Sequence, residues 1–379
     1  MRSIKTKLFS LGMAASMLLA LGGCAMSTPA NVGSIGGVEI PAGVYLLAQY
    51  NSYNTASGLA DLATGETAND VKAVLKAQCT GTINGEEVTT DGADYISQLT
   101  THAIEYFAAV EKEFDELGGV LDDAATAEAA NSADSLWNSN GDLYTANGIS
   151  KSTVETYLLN AQKTILNLTY GADGTSPVTE AEYTDYVNND CYYVETVQFP
   201  LVNYSSYSLA TDDQKSQIEG IAAQCLAELN EQATAETASN SALYTAAMNY
   251  VPQAMSAMGS TIESAQAVYY AGSKLYTPDD LSSFGGDGYN NLTDPLDEIP
   301  LGTWTTIDLG TTLLVARRID PFKTYTVDQL NSMYDMLTSM KSDEIQDKLY
   351  ADGAALEHNL DSSAINTYSA SKIKKTVSK

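Results

Sequence analysis

The sequence predicts an α+β protein, on three observations. Apolar residues recur at three- and four-residue spacing through long stretches of 96–117, 154–168 and 218–229. Strand-like runs rich in Tyr, Val, Phe and Leu stand apart from them, at 192–201 and 304–319. The two kinds of pattern lie in blocks rather than in regular alternation, which argues for segregated helices and sheet. With 379 residues the chain is long enough for about two domains. Hydrophobic residues make up 44% of it, enough to build a core and to exclude disorder throughout.

The elements follow in order. A short β-like phrase at 32–40 leads into Pro41, which suits the first turn of a helix carrying Val44, Leu47 and Tyr50. A second such phrase at 82–88 contains Asn84-Gly85, a tight hairpin turn. The helix after it places Ile96, Leu99, Ala103, Phe107, Val110, Phe114 and Leu117 on one face and stops at Gly118-Gly119. An alanine-rich helix fills 123–146. One more runs from near Ser150 to Gly171, with Val154, Tyr157, Leu158, Ala161, Ile165 and Leu168 on one face. Thr179 to Glu182 is a capping box that opens the next helix.

At 192–201 the character changes to strand, with Pro200 marking an edge or an end. Thr211 to Gln214 caps a helix whose face is Ile218, Ile221, Cys225, Leu226 and Leu229. A Gly- and Asp-rich loop is expected over 282–291, and 304–319 reads as two strands joined around Gly310. A last capping box, Thr326 to Gln329, begins a helix carrying Leu330, Met333, Leu337 and Met340. The Ser- and Lys-rich stretch 361–379 is expected as a flexible tail.

Charge narrows the function classes. Asp and Glu number 48 against 19 Lys and Arg, a net charge of −29. That balance argues against nucleic acid as a partner, since phosphate affinity rests on clustered cations. No run reaches the roughly 20 apolar residues a membrane span needs. The N-terminus instead has a short basic region (Arg2, Lys5, Lys7), an apolar run at 8–21, and then Leu21-Gly22-Gly23-Cys24. A charged start, a short apolar core and small residues make a secretory signal. This one resembles a bacterial lipoprotein signal, which implies cleavage after Gly23, lipidation of Cys24, a tether over 24–31, and a body held at the extracytoplasmic face of the cell membrane. Three cysteines remain (Cys79, Cys191, Cys225), an odd number without a C-x-x-C pair, so no redox role is assigned.

The order of elements resembles the PrsA/SurA-type extracytoplasmic foldases, chaperones that often carry a parvulin prolyl-isomerase domain. The resemblance is spread over the strand–helix opening at Val38-Glu39-Ile40, the long helix ending at Phe114-Asp115-Glu116-Leu117-Gly118, Asn147 to Ser150 before another long helix, and Val178 to Tyr183 before a strand. Gly285-Gly286-Asp287-Gly288, Pro300-Leu301-Gly302 and a closing strand from Leu313 to Arg318 continue it. It implies a helical chaperone core over 32–190 plus 323–360 and a parvulin-like insert over 191–322, a small antiparallel sheet wrapped by helices. It further implies unfolded or newly secreted polypeptides as partners and no cofactor.

Catalysis fits the residues less well. Active parvulins use histidines that face each other across the sheet, whereas this chain has only His102 and His358, neither between 191 and 322. Where the family often has a pocket Phe, five residues before the glycine matching Gly302, Asp297 stands. No catalytic residues, metal-ligand spacing or Ser-His-Asp set is assigned. The insert is expected to be weak or inactive as an isomerase. A chaperone needs wet aromatic surface, and the 24 Tyr against 6 Phe supply it. Tyr45, Tyr50, Tyr53 and Tyr106 are the candidates for a peptide groove. The alternative from another class is a substrate-binding lipoprotein of an ABC transporter; a surface adhesin is a weaker third.

Overall fold

The computed structural model describes residues 29–203, 206–232, 240–284 and 288–376. The signal segment, Cys24 and all but the end of the expected tether lie outside the described residues, and Asn31 already opens the first strand. The fold is α+β, with small antiparallel sheets. Among the described residues no helix is long and apolar enough to cross a membrane.

The chain begins with β1 (Asn31–Ile35) and β2 (Val38–Pro41), and then α1 (Ala42–Leu59), α2 (Val71–Lys76), β3 (Gln78–Ile83), β4 (Glu86–Asp91), α3 (Gly92–Glu116), α4 (Asp123–Ala146), α5 (Lys151–Ala161), α6 (Ile165–Tyr170) and α7 (Glu180–Asn189). The first β-like phrase is a hairpin, and β3 and β4 form a second. Asn84 and Gly85 both have positive φ, 54° and 76°, the conformation a two-residue hairpin turn of matching twist requires. Side-chain caps start α3, α4 and α5. Asp91 accepts from Asp94 N at 2.9 Å, Asp122 from Ala125 N at 2.7 Å, and Ser150 from Thr153 N at 3.1 Å.

The single helix expected from 150 to 171 is broken between α5 and α6. Asn160 donates its amide to Phe107 O (3.1 Å) and Glu111 Oε1 (2.8 Å), and Lys163 pairs with Glu111. These ties to α3 hold the chain at the break. Beyond it, Ile165 packs with Ala109, Val110 and Phe114.

The sheet region follows: β5 (Tyr192–Pro200), β6 (Val202–Asn203), β7 (Ser208–Leu209), α8 (Asp212–Gln232), α9 (Asn240–Ala257), β8 (Ala271–Tyr276), α10 (Pro278–Ser282), α11 (Gly288–Asp297), β9 (Thr305–Asp308) and β10 (Thr312–Arg318). Four strands pair antiparallel in the order β8-β5-β10-β9. β5 is thus an inner strand, and Pro200 marks its end rather than an edge. The pleat sends Val197, Phe199, Leu313 and Val315 onto α8 and α9, and Tyr192, Val194, Leu314 and Ala316 onto Leu281, Leu292 and Leu296. The loop expected over 282–291 gives way to α11 from Gly288, while residues 285–287 lie outside the described residues.

The chain then returns through α12 (Val327–Tyr334), α13 (Met336–Ala355), β11 (His358–Leu360) and α14 (Ser362–Thr367). The Thr326 capping box is present, but the helix it opens ends at Asp335, whose φ of 46° and ψ of 50° are left-handed. α13 packs back on α3: a Cβ at Gly353 would lie 2.6 Å from Glu105 O, so the two backbones touch. β11 pairs antiparallel with β1, Gly33 opposite Leu360. At Gly33 (φ 113°) a Cβ would meet Asn359 O at 2.3 Å, so only glycine fits this closure.

The flexible tail expected from residue 361 is a correction. Asp361 caps α14 through Ser363 N and Ala364 N, and the chain stays folded onto α1 and the end of α4 as far as Ile373 and Lys375. Ala364, Ile365 and Ile373 supply apolar anchors that a Ser- and Lys-rich composition hides.

Candidate functional site

The four candidate tyrosines are not an open groove. Tyr45 packs among Val44, Ile104 and Phe107 in the core. Tyr53 is 0% exposed and donates its hydroxyl to Ala68 O at 2.9 Å. Burial pushes its phenol up to about 12. Tyr106 is half-buried on α3, its ring 4.6 Å from that of Tyr350. Tyr50 lines a cleft, with its ring edge-on to Tyr144 at 6.0 Å and 88°. Three of the four sit on α1, where helical spacing turned them into the core rather than onto a wet face.

That cleft has a volume of about 530 Å³. Its walls are α1 (Leu46, Gln49, Tyr50), the α4–α5 turn (Asn147, Gly148) and the C-terminal segment around Tyr368 and Ile373. Two features of the C-terminal segment stand out. The Asn147 amide donates to Lys374 O (2.9 Å) and accepts from Lys374 N (2.8 Å), so one side chain satisfies both backbone groups of one residue. The next residue, Lys375, lays its ammonium over the rings of Tyr50 and Tyr53, 5.1 and 5.4 Å from their centroids, and donates to Asn54 Oδ1. Partial burial lowers the pKa of that ammonium. Tyr50 and Tyr53 are therefore brought together, but around a lysine of the same chain.

The sheet region holds a second constellation. Cross-strand register sets Glu195 opposite Arg317, and both side chains are 0% exposed. Glu195 Oε2 accepts from Arg317 Nε and Nη2, each at 2.6 Å. The guanidinium stacks on Trp304, 4.7 Å from the ring centroid. Removing two opposite charges from water is costly unless they meet, and here two guanidinium N–H groups converge on one carboxylate oxygen. On the other face, Asp297 accepts from Tyr192 (2.7 Å) and Arg318 (3.2 Å), and Arg318 lies over the Tyr192 ring. Arg318 also donates to Cys191 O and Asn188 O, tying β10 to the end of α7. Both sets are paired charges, an arrangement suited to holding strands in register.

Neither histidine lies near the sheet. His102 stacks on Tyr350 at 4.0 Å and 14°, and burial lowers its pKa. Its Nε2 is buried without a partner among the described residues. His358, on β11, faces Glu105 Oε1 at 3.2 Å. Burial raises the Glu105 pKa against the pull of His358. Among the described residues no group of three His, Cys, Asp or Glu could hold a metal ion.

Residue-by-residue reading missed Asn147, Lys375, Glu195, Arg317 and Trp304. A signal existed for the ion pair: one acid and one base, each inside an otherwise apolar strand run. Asn147 carried none, because its partner is 227 residues away. No family model matches the chain, and no curated protein matches it.

Proposed function

We propose that this chain is a membrane-anchored extracytoplasmic chaperone that assists the folding of exported proteins, related to the parvulin-bearing foldases and weak or inactive as a prolyl isomerase. The observation that carries the reading is an interruption: a four-stranded antiparallel sheet wrapped by helices stands between α7 and α12, while the helices before and after it pack on one another. The basic–apolar–Leu21-Gly22-Gly23-Cys24 start supports an acyl anchor on Cys24 and unfolded secreted chains as partners.

The isomerase half of the proposal rests on the sheet's polar residues. Speeding X-Pro rotation needs a site that favours the twisted amide over the planar one. The buried Glu195–Arg317 pair puts two guanidinium N–H groups on one carboxylate oxygen, a structural use of these charges. Two assays test the proposal. The protein should suppress aggregation of a chemically unfolded client at near-equimolar ratio, and it should leave the rate of proline-limited refolding within about twofold of the uncatalysed rate. Robust acceleration of that slow phase would overturn the inactive-isomerase half. Failure to hold any unfolded client would overturn the rest, and stabilisation by a small molecule instead would favour a transport-binding role.

A further inference from the structure

The C-terminal segment closes one side of the cleft against α1 and the α4–α5 turn, and its own contacts describe what the surface beneath it holds. Residues 370–372 make one 3-10 turn, and 373–376 run on without helix or strand. Asn147 recognises Lys374 through its backbone N–H and C=O alone, a pairing that any non-proline residue offers. One position earlier, Ile373 sinks its side chain between the cores around Tyr53 and Tyr144. One position later, the Lys375 ammonium sits on two tyrosine faces, the quadrupole attraction that selects a cation. The wider charge agrees: 361–379 carries four of the 19 basic residues of a chain with net charge −29. An open volume of about 530 Å³ lies beside the segment.

We propose that the surface under residues 369–376 is a binding site for peptide with an apolar residue two positions before a lysine or arginine, and that this segment is its built-in occupant, displaced when such a peptide arrives from outside. The inference rests on the chaperone reading in one respect only, that the arriving peptide belongs to a client. A backbone-reading amide flanked by an apolar slot and an aromatic cation seat gives breadth of sequence with a chemical bias toward basic, apolar stretches.

The test uses a fluorescein-labelled peptide of residues 369–376 as the probe, titrated into the full chain and into two opened forms: the double variant Ile373→Ser, Lys375→Ser, and a chain ending at Tyr368. Opened forms should bind the probe at least tenfold more tightly than the parent. Asn147→Ala on the opened background should return at least tenfold of that gain, and a probe with Glu in place of Lys375 should lose as much. Absence of a gain on opening, or a gain indifferent to Asn147, would overturn the proposal. If both opened forms lose their native circular dichroism, the segment is a structural strap and the proposal fails. A dimer formed by exchange of the segment, without probe binding, overturns it too. Asn147-dependent probe binding in a protein that suppresses no aggregation would sink the chaperone reading and leave the cleft standing. Aggregation suppression without such binding would do the reverse.

Discussion

The helical region and the sheet region are held together by different means. The sheet region is one continuous stretch, with its four-stranded sheet sandwiched between α8 and α9 on one face and α10 and α11 on the other. Its middle is pinned by a buried ion pair. The helical region is assembled from both sides of that stretch: α3 needs α13, and β1 needs β11. It has several small cores strung along α1 and α3 rather than one large one. Closing so long a loop has an entropic cost that grows slowly with length, so a folded sheet region between the two halves lowers it. The two regions meet at an apolar junction where Tyr183, Tyr186 and Val187 of α7 pack with Tyr193, Leu275, Leu330 and Leu337. A buried charge pair spans the central strands of one region, and close backbone contact joins distant segments in the other.

The sharpest way to break this contrast is at the ion pair. Glu195→Ala strands the Arg317 charge in the sheet and should cost about 3–5 kcal/mol, seen as an early-melting transition in urea or calorimetry. Glu195→Met with Arg317→Leu should recover most of that loss, because the pair as a whole is replaceable by apolar bulk. Next in size, Gly353→Ala forces a Cβ onto the Glu105 backbone and should cost about 1–3 kcal/mol, with hydrogen exchange rising in α3 and α13 while β5 and β10 stay protected. Thr326→Ala removes the cap that starts α12 and should cost about 1 kcal/mol, shared by both regions because α12 lines the junction.

The smallest effect is one of pH. His102 has a lowered pKa in the fold, so the unfolded chain binds its proton first as pH falls. Stability from this group is full above the ordinary histidine value of about 6.5 and declines as pH drops below it. His102→Phe should flatten that part of a melting-temperature profile and leave the sheet region's profile unchanged.

Local signals were legible in the sequence and long-range ones were not. The Asn84-Gly85 turn, the Asp122-capped alanine helix and the Thr179 and Thr326 capping boxes are all settled within four residues, and the structure has each of them. The break at residues 162–164 was hidden because Glu111, which ties the chain there, lies far back on α3, and at Asp335 a left-handed residue interrupts an unbroken helical pattern, with Asn331 accepting from Leu337 N across it. α9 and β8 gave weak patterns, being built of alanine, methionine and small polar residues, with Pro252 inside α9. Burial of Tyr45 and Tyr53 follows from α3 packing over α1, and no property of the α1 sequence announces it.

The three described thiols are distributed with unusual economy. Cys79 lies in the core around Tyr53 and Tyr95, Cys191 at the junction, and Cys225 on α8 in the core that α8 and α9 form with the sheet. Each is free and buried, and burial pushes Cys191 and Cys225 up to about 12. At neutral pH almost none of either is thiolate, the form that reacts with alkylating agents. Each sulfur is therefore a silent clock for its own compartment. The order in which an alkylating dye marks them would time, without any mutation, which part of the molecule opens first.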